Sequence, residues 1–180
     1  MCLIMVDNKD RLVRSFGRIK SRKLSDNKQY LLDNKFPKIQ FHLKDSFKKK
    51  DFSDRSLRIL EIGFGFGDFT AFKAQNNSDA IIFAAEPHIN GVVNLLSLME
   101  NYSLDNIRIS NDDARLLLEC FEDGFFDEIY ILFPDPWPKL KHFKRRIVTA
   151  EFLSGILSQK LTKNGKILIA TDHDSYKIWI

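Results

Sequence analysis

The segment richest in potential chemistry reads Phe133-Pro134-Asp135-Pro136-Trp137-Pro138-Lys139 and runs directly into Leu140-Lys141-His142-Phe143-Lys144-Arg145-Arg146. Each proline fixes its own φ and biases the preceding residue away from the helical region, so prolines around one acid and one indole make a stiff, non-helical loop. Such a loop holds the Asp135 carboxylate in one place, which a plain connection would not need. Trp137 offers a face on which a splayed base can stack, and equally an anchor for packing. The cations Lys139, Lys144, Arg145 and Arg146 suit contacts to phosphates, which supply affinity and little sequence choice, or else form a solvated basic loop.

A second constellation, Leu60-Glu61-Ile62-Gly63-Phe64-Gly65-Phe66-Gly67-Asp68, is a glycine-rich turn leading from an apolar run into a helix. Glycines such as Gly63 and Gly65 let the backbone come close to a ligand. The dinucleotide fingerprint spaces its glycines as G-x-G-x-x-G so that a pyrophosphate meets the helix N-terminus. Here Gly67 comes one residue early, and Glu61 and Asp68 flank the turn. Two carboxylates repel a pyrophosphate and attract a ligand carrying a sulfonium and an ammonium, the charges of S-adenosylmethionine. The alternative is an ordinary tight turn. Glu86, in Ala84-Ala85-Glu86-Pro87, falls about 20 residues further on, where an acid can take both ribose hydroxyls; a helix-start acid is the other reading. In Asn111-Asp112-Asp113-Ala114 a carboxylate can accept the adenine amino group or cap a helix.

The elements that must position these residues follow from the apolar pattern. Runs 57–62, 80–85, 128–133 and 166–170 lack polar alternation and read as parallel strands buried on both faces, with a shorter strand over 107–110. Segments 68–76, 89–102, 114–121 and 147–161 have helical length and period. Strand alternating with helix predicts an α/β Rossmann-like sheet of five parallel strands with right-handed crossovers and ligands at the carboxyl ends. Residues 1–50 read as a basic N-terminal extension too polar to contribute much to the core, and residues 51–180 as the domain.

Composition narrows the setting. The 180 residues carry a formal charge of +4 with 44% hydrophobic residues, enough for one core. Lys and Arg crowd into 9–28, 44–50 and 139–146, which favours a polyanionic partner. Cys2 and Cys120 have no partner spacing for zinc, and His42, His88, His142 and His173 fit neither a metal site nor a nucleophile triad. The apolar start is too short for a signal-peptide core, and no run approaches the roughly 20 apolar residues that span a bilayer. The expectation is a cytoplasmic protein with no membrane contact and no metal.

With these residues in this order, the chain resembles the bacterial tRNA guanine-N7 methyltransferases over nearly its whole length. Arg14-Ser15-Phe16-Gly17-Arg18 is similar to the family's basic amino-terminal motif, and Ala170-Thr171-Asp172-His173 to its substrate-side loop. The resemblance implies that Glu61, Gly63, Gly65, Glu86, Asp113 and Asp135 contact S-adenosylmethionine or line its pocket, with Asp135 the catalytic position. It places Lys139 and Asp172 on the tRNA side, beside Trp137, Lys144, Arg145 and Arg146. The implied product is N7-methylguanosine in the tRNA variable loop.

In that family the chain continues past this loop through a helix, an antiparallel strand pair and a motif of Thr, Phe, Glu and Gly type, whereas this sequence stops at Trp179-Ile180. The resemblance therefore implies an exposed sheet edge at 167–170 and a second chain as a candidate partner. Two further readings stand beside the active enzyme: an impaired fragment that binds cofactor or RNA, and a methyltransferase for another RNA or for protein. The single proline between Asp135 and Trp137 argues against an amino-group methyltransferase, which more usually places two prolines before its aromatic residue.

Overall fold

The computed structural model describes residues 23–180 together with the backbone of a short antiparallel pair, Ile4–Val6 with Leu12–Arg14. Ser15, Phe16, Gly17 and Arg18 of the basic amino-terminal motif lie outside the described residues. Strands β1 (Arg58–Ile62), β2 (Ile81–Ala85), β3 (Ile107–Ser110), β4 (Phe126–Leu132) and β5 (Leu161–Ala170) form one parallel sheet in the order β3-β2-β1-β4-β5. The order reverses between β1 and β4, the switch point at which ligands bind in open α/β sheets.

Successive side chains of a strand point to opposite faces, and here each face is apolar. Leu60, Ile62, Ile81, Phe83 and Ala85 enter one core, while Ile59, Ile82 and Ala84 enter the other. Burial on both faces explains the uninterrupted apolar runs. Helices α3 (Asp68–Asn76) and α4 (Ile89–Asn101) cover the second face with Ala71, Ala74, Val92 and Leu95. Glu128 of β4 receives Lys73 Nζ of α3 and Lys166 Nζ of β5, each at 2.9 Å. That pair of ion pairs ties the helix after the glycine turn to the two strands beside it.

Three expectations are corrected. First, residues 23–52 are part of the core. Helix α1 (Asp26–Asn34) buries Leu31, α2 (Phe36–Ile39) buries Phe36, and Phe41 is 1% exposed. Gln40 bridges to Ile109 of β3, and the Phe41 N–H donates to the Ile109 carbonyl at 3.0 Å. Phe41, Phe47 and Phe52 then join Phe83, Phe121 and Phe125 in one aromatic cluster, with Phe83 to Phe121 at 4.8 Å. The basic residues between them stay at the surface, so average polarity concealed widely spaced apolar anchors.

Second, β5 begins at Leu161, five residues before the apolar run. Leu161 pairs with Phe126 and Lys166 with Glu128, so the polar stretch between them is accommodated as a bulge. Among the described residues β5 forms a sheet edge, with Leu168 46% exposed. Third, two long helices are irregular. Helix α5 (Ala114–Leu117) passes into a 3₁₀ turn, Leu118–Cys120. The segment after Val148 is a π-helix, Glu151–Leu157, followed by the single helical turn α6 (Ser158–Lys160). A final short helix, α7, spans Asp174–Lys177.

Candidate active site

A cavity of about 420 Å³ opens at the carboxyl ends of β1 to β4. Gly63 and Gly65 line it from the turn after β1, Glu86 from β2, Asp112 and Asp113 from β3, and Asp135 and Trp137 from the loop after β4. Arg145 completes the mouth. The strand ends are stitched together: the Gly63 N–H donates to the Ala85 carbonyl at 2.8 Å, that of Glu86 to Ser110 at 3.0 Å, and that of Phe133 to Ala170 at 2.8 Å.

The glycine turn is shaped by close packing. Gly67 caps α3 with φ +84°, and a Cβ there would lie 2.8 Å from Leu95 Cβ. Gly91 in the first turn of α4 is the tighter case, because a Cβ would fall 2.0 Å from the Gly65 carbonyl oxygen and 3.3 Å from Glu86 Cγ. Gly91 thus lets α4 press the turn towards the cavity. The sequence reading passed over it because one glycine inside an apolar helical run has no spacing signal.

The acids differ in their surroundings. Glu86 accepts the Gly65 N–H at Oε2 and the His88 N–H at Oε1, both at 2.9 Å, so its carboxylate shapes the turn as well as facing the cavity. Burial raises its pKa, the two N–H groups oppose that, and the charge of Asp135 adds to it. Asp113 caps α5 and accepts Arg115 Nε at 2.9 Å. Asp112 stands beside it in the cavity wall, its pKa raised by burial, lowered by His42 and raised again by Asp113.

Glu61 is not in the wall. It shares the face of Ile59, lies 3% exposed beneath α3 and accepts the Thr70 hydroxyl. Burial pushes its carboxyl up to about 7, opposed by the Thr70 hydrogen bond and assisted by the charge of Glu86.

In the loop after β4, Phe133 has φ +50° and Trp137 φ +43°, a region that side chains other than glycine seldom adopt. Such backbone persists where surrounding contacts over-determine it, and it concentrates at functional sites. Trp137 is held by Arg145, whose guanidinium carbon lies 4.8 Å from its ring, and by His142 edge-on at 5.8 Å. Phe133 is 65% exposed at the cavity rim. Lys139 and Lys144 are exposed on the 3₁₀ turn Leu140–Arg145 and its N-cap, and Asp172 is exposed in the loop after β5. Arg146 departs from its neighbours: it is buried, with its donors committed inside the chain. Among the described residues no group of His, Cys, Asp and Glu is arranged to hold a metal ion, and no helix is long and apolar enough to cross a membrane.

A family model described as "Putative methyltransferase" matches residues 55–180. A tRNA (guanine-N(7)-)-methyltransferase of Caulobacter vibrioides is 36% identical over 168 residues, covering 93% of this chain and 74% of that one. Its counterpart in Neorickettsia sennetsu is 39% identical over 168 residues, with 93% and 73% covered. Among solved structures, an antibiotic-related methyltransferase aligns with a TM-score of 0.54 at 15% identity over 72% of this chain and 66% of that one, a likeness of fold alone.

Proposed function

The chain belongs to the tRNA (guanine-N7-)-methyltransferase family, and we propose that it transfers a methyl group from S-adenosylmethionine to N7 of a guanine in tRNA. The observation that carries this reading is one cavity walled by the glycine turn and by Glu86, Asp112 and Asp113, with a proline-stiffened Asp135 loop bearing cations at its mouth. That combination suits a cationic nucleoside cofactor inside and a polyanion outside.

The residues fit the cofactor. A volume of about 420 Å³ is that of a small-molecule pocket. Glu86 spends one lone pair of each oxygen on Gly65 and His88, and the rest can take ribose hydroxyls. Asp112 and Asp113 face the adenine end. Gly63 and Gly65 bring backbone up to the ligand, while Glu61 lies beneath the turn, bonded to Thr70 of α3. When bound, S-adenosylmethionine supplies a methyl group on a positive sulfur.

Guanine N7 carries a free lone pair, so the protein has no proton to remove from it. What this chain contributes is alignment and charge. Asp135, set in a stiff loop, can accept hydrogen bonds from the guanine Watson-Crick edge and stabilise the purine as it becomes cationic. Trp137, Lys139, Lys144, Arg145 and Asp172 form the tRNA side of this reading.

The test is transfer of a labelled methyl group from S-adenosylmethionine to unmodified tRNA. The reading expects label in tRNA and none in ribosomal RNA or protein. Folded protein that leaves tRNA unlabelled would remove it.

A further inference from the structure

Arg146 ends the basic run, yet it is 3% exposed. A buried guanidinium is costly unless it is hydrogen-bonded, and here each of its three nitrogens donates. Nε donates to the Pro136 carbonyl at 2.8 Å, one Nη to the Ser175 carbonyl at 3.1 Å, and the other to Ser175 Oγ at 2.9 Å. The guanidinium carbon lies 3.8 Å from the Phe143 ring centre, 4.7 Å from Tyr176 and 5.2 Å from Trp179.

The two ends of this bridge lie in the loop after β4 and in the first turn of α7. Pro136 follows Asp135. Ser175 follows the Asp172 loop and is linked into it, with Oγ 3.0 Å from His173 Nδ1 and the His173 N–H donating to Thr171 Oγ1 at 3.2 Å. The ring partners are anchored as well: the Val148 N–H donates to the Tyr176 hydroxyl at 3.1 Å, and Trp179 Nε1 donates to the Val148 carbonyl at 2.6 Å. The planar fork is what allows one side chain to bond the Asp135 loop and the start of α7 while stacking between rings, and a lysine ammonium cannot do this.

We propose that Arg146 is a positioning residue: it ties the Asp135 loop to the Asp172 loop so that both meet the guanine as one rim, and it contacts no tRNA phosphate. This rests on the methyltransferase reading above. A strut and a phosphate contact predict opposite outcomes in two variants. Arg146→Lys keeps the charge and loses the fork; Arg146→Gln loses both.

The experiment measures single-turnover methyl transfer at saturating tRNA and cofactor, tRNA affinity across a salt series, and amide hydrogen exchange in the absence of ligands. A strut predicts that both variants slow transfer by about ten-fold or more. It also predicts tRNA affinity within about two-fold of the parent and an unchanged salt slope. Exchange at 133–139 and 171–175 should accelerate together. A phosphate contact predicts near-parental transfer for Arg146→Lys, and for Arg146→Gln weaker binding with the salt slope reduced by about one, as expected for Lys144→Ala. That result, or acceleration confined to one loop, would overturn the proposal. If neither variant folds, Ser175→Ala removes one acceptor and must still loosen both loops, and loosening of 171–175 alone is contrary. A parent chain that methylates no tRNA would end the tRNA reading, while the exchange comparison would still decide the strut.

Discussion

Glu61 and Asp135 are both acids at the carboxyl ends of strands, yet burial separates what they can do. Glu61, beneath α3, has its carboxyl raised from 4.5 to about 7. Between those values the folded state binds a proton that the unfolded chain releases, so Glu61 makes stability fall as pH rises through this window. Chemical denaturation of the ligand-free protein at pH 5 and pH 8 should show a loss of about 3 kcal/mol in the parent relative to Glu61→Gln; parallel profiles would contradict the assignment. Asp135 is exposed at the rim, and in the proposed reaction its charge is what stabilises the cationic purine. Asp135→Asn keeps the shape, and it should lower single-turnover transfer by about a hundred-fold with tRNA affinity held. Residue types, spacing and the family resemblance together nominated Gly63, Gly65, Glu86, Asp113, Asp135, Trp137 and Arg145, which all line one cavity. They did not distinguish Arg146 from Lys144, because a run of cations carries no mark of which one tertiary packing will bury. Nor did they show Glu61 turning away from the cavity, which depends on the face that Ile59 shares.

At the scale of elements, the cavity wall is set by how α4 meets the glycine turn. Gly91→Ala would drive a methyl group into the Gly65 carbonyl, so the turn must shift. A shift of that kind should weaken S-adenosylmethionine binding in a direct titration by about ten-fold or more, with a stability loss of about 1–3 kcal/mol. Unchanged affinity would mean that the turn does not need its present position. The strands β1, β2 and β4 were legible because burial on both faces leaves an apolar run with little alternation. The first half of β5 was not, since Thr162, Lys163 and Asn164 are polar, lie outside the apolar run and enter the sheet only through a bulge against β4. The breakdown of regular helix after Leu117 and from Glu151 to Leu157 likewise has no simple periodic signature.

For the whole molecule, residues 23–52 change most between sequence and structure. Phe41 sits in the main core at 1% exposure, in edge contact with Phe83 at 5.5 Å. Phe41→Ala should cost about 3–5 kcal/mol in equilibrium unfolding. A cost under about 0.5 kcal/mol, as for a surface site, would mean that this segment is a free extension after all. The polar average of the segment hid it, because a few phenylalanines spaced along a basic stretch can plug one core without forming an apolar run. The result is a sheet that gathers acids at one end and a clamped, basic rim over them, which in the proposed reaction presents guanine N7 to the methyl donor. Nucleoside analysis of tRNA methylated by the purified chain tests it most directly. The expected product is N7-methylguanosine, at a single position in the variable loop. Methyl groups on an exocyclic amine, on another ring nitrogen or on ribose would contradict it.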